Sequence, residues 1–599
     1  MLALRPLVAR AKRRVLADLR GDRYLPVILL AAFLLAGFYF WHEVPNFATW
    51  DERDRVLDPL VAYGRVIDDP SLAALQEGVI WGREPFGSTF YLFGVALLPV
   101  VLAAFALGDA GALADLGLPT REFGFWDIWH ATPEWIWTAS LLLVRFLNVC
   151  FAVGTVYLVY RIGTYLRDRT AGRIAAALMS VTWGLLTLAH EGGEDIASVF
   201  VVLLALYLLI QYVETGDPAP FFQASAVGAV ALTLKLTTAP IVFVIAIAYL
   251  LRRYAEGETW RAAFEDYEFL ARGAGIGAVV IALGFPTLVV GGFYDFGARI
   301  FGHPAYRVAV TKGPDAPIWW WFLRGYFSAF SLPLFLAGVV GVGAAVVRAW
   351  RRFPEPDGTT VLLAYLGIWL GILATFHDFR PHHLLPTLPL IVALLGVALS
   401  RLDADRPTLA RGAVAVLLLT AGPYAAVGSA QYASMPRDAA VDWMDDNVDR
   451  DATMEFYTRG FEEAATPHWI DAQYPYAGDN RSALDPCPEY VQLTHRDLLY
   501  LRDIPENQRT SYVRANTEAR AAHVRKLLNG SYGYEIVAEF GDRPPNFVPD
   551  RPETGSLAAL VPLGIYPQTD QYADEQELRA NQYVAILRAG NCTGLDRPL

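Results

Sequence analysis

The sequence predicts a mainly α, polytopic membrane protein of about eleven crossings with a C-terminal extracytoplasmic α+β domain. Three observations predict it. Of 599 residues, 54% are hydrophobic and only 18% charged, where ordinary soluble domains carry about 25% charged residues. Apolar runs long enough to cross about 30 Å of hydrocarbon recur from Tyr24 to Tyr432. The net charge of −12 is also lopsided. Residues 433–599 hold 27 Asp+Glu against 16 Lys+Arg, a net of −11, which leaves −1 for residues 1–432. A disordered chain, a collagen and a disulfide-stapled secreted module are excluded, and three cysteines exclude a Cys-based zinc framework. Only four of the 49 basic residues are Lys, as expected of a salt-loving archaeon or of high-GC coding.

The apolar runs lie near 24–42, 86–107, 135–160, 171–189, 196–213, 221–235, 238–252, 271–292, 318–347, 360–376, 384–400 and 411–432. A basic stretch (Arg5, Arg10, Lys12, Arg13, Arg14) precedes the first, and no small-residue cleavage site follows, so it reads as an anchor with a cytoplasmic N-terminus. Arginines at 161–173, 252–253, 348–352 and 401–411 mark four cytoplasmic connections. The connections near 43–85, 190–195, 293–317 and 377–383, and the acidic tail, are then outside. Parity requires an odd number of crossings between 43–85 and 161–173, yet two runs lie there. The run 86–107, which follows Pro85 and contains Pro99, is therefore expected as a re-entrant or surface helix within a first outer loop, 43–134. Residues 1–432 form the membrane domain on this reading.

The tail, 433–599, carries strand-like alternation at Glu535–Phe540 and Gln582–Leu587 and a helical stretch at 507–528. Cys487 and Cys592 are candidates for a disulfide in an oxidising exterior. Glycosylation sequons begin at Asn480, Asn529 and Asn591. Trp319, Trp320 and Trp321 fit an interfacial aromatic belt.

Ionisable groups at the ends of spanning segments are costly unless paired or hydrated, and so are candidates for function. One membrane side gathers Asp51 and Glu52 after the first helix, Arg145, the run His190-Glu191-Gly-Gly-Glu194-Asp195, Lys235 at a helix end, and the turn His377-Asp-Phe-Arg380-Pro-His382-His383. Transfer from a lipid-linked phosphate wants this set. Cations bind the phosphodiester and stabilise the charge that grows as the glycosidic bond breaks, while a carboxylate takes the acceptor's proton. His190, Glu191, Glu194 and Asp195 are also candidates for a divalent metal ion, with a Gly-hinged turn capping two helices as the alternative. No cofactor is otherwise implied, and nothing points to nucleic acid.

An acidic pair just after the first helix resembles the signature of the GT-C glycosyltransferases, and most closely the branch of protein O-mannosyltransferases and aminoarabinose transferases. Further similarity lies in Arg145-Phe-Leu-Asn-Val leading to Tyr160-Arg161-Ile-Gly, in Thr170-Ala-Gly-Arg173, and in Thr233-Leu-Lys235. Phe379-Arg380-Pro-His-His-Leu-Leu-Pro386 resembles the branch's aromatic-Arg-x-x-x-Leu-Pro turn, and Arg437–Asn447 the start of its tail. The resemblance implies inverting transfer of a sugar, mannose at family level, from a polyprenyl or dolichyl phosphate to a glycan, glycoprotein or lipid acceptor. By position it makes Asp51 the base or acceptor-positioning carboxylate with Glu52 beside it, and Arg145, Lys235 and Arg380 the phosphate-side cations. His382 and His383 depart from the branch, where an aromatic residue is common, and join the candidate phosphate-binding set with an open role. A transporter or flippase of lipid-linked sugars is the alternative; it calls for mid-membrane polar residues and repeats with broken helices, which the sequence does not display. A non-catalytic scaffold is the third.

Overall fold

The computed structural model describes residues 4–82, 87–120, 125–259, 266–309, 316–352, 357–457, 464–475, 484–499, 501, 517–541, 555–567, 582–592 and 594–597. Among these, eight helices are long and apolar enough to cross a membrane, or nine if Arg169–Ser180 and Trp183–Ala189, bent by 56°, form one crossing. Three more apolar helices, Leu25–Gly37, Pro218–Leu234 and Gly358–Leu373, have 13, 17 and 16 residues, short of the roughly 20 that a full crossing uses. The chain is a multi-pass membrane protein.

The longest helix, Glu134–Leu166, has 33 residues and so runs about 50 Å, well beyond the hydrocarbon thickness. Its two ends organise the molecule. Near its start, Arg145 meets Glu52. Near its other end, Arg161 pairs with Asp18 and Tyr160 donates to Asp22, to which Arg173 also pairs. Tyr160, Arg161 and Arg173 thus pin the amphipathic N-terminal helix Leu4–Gly21 to the bundle. Gly163 lets Glu134–Leu166 approach Arg169–Ser180 closely, since a Cβ there would lie 3.0 Å from the Gly172 Cα.

Helix Ser88–Leu107 is apolar and 20 residues long, enough to cross. Its start is nevertheless tied to Thr233 and Leu234 by Ser88 and Thr89, and Asp109 just past its end accepts from Trp135. Both ends therefore sit toward the Glu52 end of Glu134–Leu166, not the Arg161 end.

One apolar run breaks where sequence hydropathy is continuous. The run 318–347 divides into Ile318–Phe330 and Leu332–Arg352 at Ser331, whose φ is 64°. The break turns the tryptophans inward and corrects the belt reading: Trp320 and Trp321 are buried, with Trp320 donating to the Ser556 carbonyl, and Trp319 alone is exposed.

A five-stranded mixed sheet forms from β1 (Thr453–Phe456), β2 (Asp471–Gln473), β3 (Tyr490–Thr494), β4 (Tyr534–Phe540) and β5 (Val584–Ala589), in the order β2-β1-β3-β5-β4. The β1 pairings are parallel and the β5 pairings antiparallel. Strand alternation splits its side chains between two cores. Val491, Leu493, Ala585 and Leu587 pack on Val524 and Leu527 of helix Thr517–Leu528. Val584 and Ile586 face the other way, into one core with Phe47, Trp126, Trp129 and Val144. The expected helix at 507–528 is described from Thr517 on; its earlier residues and the Asn480 sequon lie outside the described residues. Cys487 and Cys592 are bonded, with Cα atoms 5.8 Å apart.

Candidate active site

Helix Trp50–Asp68 begins at Thr49, whose hydroxyl accepts from the Glu52 N–H at 3.2 Å. Its first turn carries Asp51 and Glu52, where the helix dipole favours carboxylates. The two neighbours then part company, because successive helical residues point in different directions.

Glu52 faces inward. Its carboxylate accepts from Arg145 Nε at 2.6 Å and Nη2 at 2.8 Å, from Ala48 N–H at 2.7 Å and from Gly192 N–H at 2.8 Å. Arg145 donates its remaining bonds to the Phe40 and His42 carbonyls. Both side chains are fully buried. This buried bidentate pair gives both residues a structural place instead of the expected contact with substrate. Arg145, fully buried, commits four of its five N–H donors to these partners, and both Glu52 oxygens are each engaged twice. Gly192 makes the contact possible, since a Cβ there would lie 2.6 Å from Val144 Cγ2 and 3.1 Å from Glu52 Cγ. Asn148, one turn after Arg145, holds the same turn through the Glu191 and Gly193 carbonyls.

Asp51 faces a second cluster. Arg55, one turn later on its helix, donates to Glu194 at 2.5 Å. Lys235 Nζ lies 2.6 Å from Asp195 Oδ1 and 3.3 Å from Glu194 Oε1. Asp51, Glu194 and Asp195 each offer an oxygen within 4.8 Å of the others. Burial alone would raise the Asp51 carboxyl, but Arg55, Lys235, Arg380 and His382 outweigh it and hold it well below the usual carboxylate range. Burial likewise opposes ionisation of Glu194, and Arg55 and Lys235 reverse this and keep it at about 2. Burial lowers Lys235 while Asp195, Glu194 and Asp51 raise it, leaving it above its ordinary value and charged.

The structure therefore brings Asp51, Glu194, Asp195, Lys235, Arg380 and His382 to one place and adds Arg55. The signal for Arg55 was its i, i+4 spacing from Asp51, which also describes any solvated helix face. His190 leaves the expected metal set. Its ring nitrogens face the Leu186 and Phe38 carbonyls at 2.8 and 2.9 Å, and its ring stacks on Tyr432 at 3.8 Å. Burial, with His42 and Arg145 nearby, drops its pKa to about 3. Glu191 is likewise outside the acidic group, which takes Asp51 in its place. Three carboxylates suit a hard divalent ion, but such an ion would share Asp195 and Glu194 with the Lys235 ammonium. His383 is used locally: its Nδ1 lies 3.0 Å from the Arg380 N–H and closes the turn Pro381–Thr387.

Apolar helices of a multi-pass membrane protein thus gather a charged cluster at one end. Residues 132–283 match the family described as dolichyl-phosphate-mannose-protein mannosyltransferase, and this stretch carries Arg145, Glu194, Asp195 and Lys235. No curated protein matches the chain significantly. Similar solved structures include the apo oligosaccharyltransferase of Archaeoglobus fulgidus, at 14% identity over 95% of this chain and 88% of that one, with a TM-score of 0.48. The same organism's AglB in complex with an inhibitory peptide and a dolichol-phosphate gives 12%, 95%, 88% and 0.47. ArnT of Cupriavidus metallidurans bound to undecaprenyl phosphate gives 12% identity, 72% of each chain and 0.43.

Proposed function

We propose that the chain transfers a sugar, mannose on the family match, from a polyprenyl phosphate to a hydroxyl of a glycan or glycoprotein on the extracytoplasmic face. The observation that carries this reading is Asp51, an ionised carboxylate set among Arg55, Lys235 and Arg380 beside apolar helices that would hold a lipid tail. The acceptor oxygen attacks the sugar's anomeric carbon while the bond from that carbon to the phosphate oxygen breaks. The bonding pair leaves with the polyprenyl phosphate, and the acceptor proton passes to Asp51. One displacement inverts the anomeric centre. Lys235 and Arg380 stabilise the charge that accumulates on the leaving phosphate. Asp51, Glu194 and Asp195 would hold a divalent ion if one binds, and it would supply the same stabilisation; Lys235 already places a positive charge there.

The test is a transfer assay with the purified full chain, a short-chain polyprenyl phosphate mannose and a glycan acceptor, with the glucose and galactose donors in parallel. Covalent product separates transfer from transport. Lys235→Ala is expected to lower kcat/KM for the lipid-phosphate donor by about 10²-fold or more, with partial recovery in Lys235→Arg. Unchanged kcat/KM in Lys235→Ala would overturn its role.

A base acts only when ionised, and in the free enzyme the cations keep Asp51 ionised below its ordinary range. The acid limb of kcat/KM is therefore expected below about pH 3.8, the ordinary Asp value. A bound donor phosphate draws Lys235 and Arg380 to itself, so Asp51 becomes more basic in the complex. The acid limb of kcat should lie at higher pH than that of kcat/KM. Coincident limbs would show that donor phosphate and Asp51 do not share these cations.

A further inference from the structure

A second charged cavity lies at the opposite end of the bundle. Helix Leu388–Asp405 follows the turn that carries His382, and Arg401 is 19 residues past His382. At 1.5 Å per residue that is about 28 Å, close to the hydrocarbon thickness. There, between Leu332–Arg352 and Leu388–Asp405, a cavity of about 570 Å³ is lined by Arg348, Arg351, Arg352 and Arg401, with Val340 and Val347 among its apolar walls.

The charges in this cavity do not balance. Asp357 serves two of the arginines, at 3.1 Å from Arg348 and 3.6 Å from Arg352. Among the described residues, Arg351 and Arg401 have no ion pair, and the Arg401 Nε is buried without a hydrogen-bond partner. Among the described residues, the four guanidinium groups of this cavity pair with one carboxylate. A buried guanidinium nitrogen without an acceptor is expensive, and a ligand with several anionic oxygens would satisfy it, since the guanidinium fork matches phosphate geometry. The surroundings are amphiphilic as well. Val340, Val346 and Val347 are exposed along the same helix, and Trp350 is 84% exposed beside the arginines, which is how a helix presents itself to acyl chains below and head groups above. A free phosphate would use the arginines alone; a membrane lipid would use both parts.

We infer that this cavity binds the phosphate head group of an anionic membrane lipid, whose chain lies along the exposed Val340–Val347 face. The site is independent of the Asp51 cluster and of the donor bound there, because a bilayer's thickness separates them. Its recognition chemistry is that of basic pockets between membrane helices.

The test uses the full chain in detergent micelles carrying phosphatidylglycerol or phosphatidylcholine, with retained lipid counted by native mass spectrometry and thermal unfolding followed in parallel. Wild type is expected to retain one phosphatidylglycerol about tenfold more tightly than phosphatidylcholine, and to melt higher with it. Arg351→Gln/Arg401→Gln should lose that preference, whereas Lys12→Gln/Arg13→Gln, exposed on the N-terminal helix at the same membrane side, should keep it. If the double variant does not fold, Arg351→Gln alone, at an exposed position, should still weaken retention about threefold to tenfold. Equal retention of the two lipids by wild type, or full retention by the variants, would overturn the proposal. A melting shift with inorganic phosphate equal to that with phosphatidylglycerol would also overturn it, by assigning the cavity to a free anion.

Discussion

Asp51→Asn is expected to lower the rate of sugar transfer about 10³-fold, within the 10²- to 10⁴-fold range of a positioned general base, while leaving the melting temperature near that of wild type. The amide keeps the shape and removes both the negative charge and the proton acceptor. Stability should change little because Asp51 is half-buried and sits in the first turn, where Thr49 and Glu52 make the cap contacts. Donor binding should be retained or strengthened, since losing one carboxylate leaves Arg55, Lys235 and Arg380 with more positive charge to offer a phosphate. A transfer rate within threefold of wild type would remove Asp51 from the chemistry.

Changes at the adjacent position should act on a different quantity. Glu52→Gln and Arg145→Ala are each expected to destabilise the fold by about 3–5 kcal/mol, the usual consequence of leaving one member of a buried ion pair without its partner. Loss of activity in these variants should follow loss of folded protein, with KM for the donor unchanged in the fraction that folds. The pair Glu52→Met/Arg145→Met should recover part of the stability, because neither charge is then stranded. Thermal unfolding of the single and double variants decides the matter. If Arg145→Ala instead left stability intact and raised the donor KM, Arg145 would be a phosphate ligand after all.

That two neighbouring acidic residues have such different roles shows where sequence reading stops. Apolar length and the position of charged residues at the ends of apolar runs are local properties, so the helical bundle and the gathering of these charged groups at one end of it were legible. The pairing of Glu52 with Arg145 joins residues 93 apart, and no spacing rule predicts which of Asp51 and Glu52 turns inward. Lys235 could be singled out because a lysine between two apolar helices is unusual; Arg55 could not, because an arginine in an acidic, polar helix is ordinary. His190 misled because histidine next to carboxylates reads the same in sequence whether its ring faces them or, as here, faces two backbone carbonyls. Hydropathy ran continuously through 318–347, and the left-handed Ser331 that divides it leaves no compositional trace. The acidic end was recognised as a separate layer, but its attachment was not. Glu43 receives Gln582 at 2.9 Å and Arg437 at 3.2 Å, and its N–H donates to Asp438.

The shared core of Phe47, Trp126, Trp129 and Ile586 has a consequence for how the protein is made. The strand that carries Ile586 lies between β3 and β4, so the sheet is incomplete until it has been synthesised and delivered. The Glu43–Gln582 contact spans 539 residues, and at about 5–20 residues per second the segment around Glu43 waits roughly half a minute to two minutes for its partner. Throughout that interval Trp126 lacks its contacts with Phe456 and Tyr474 of the C-terminal region. Contacts of such long range form late, so the segment after the first apolar helix, though made early, is among the last parts of the chain to become native.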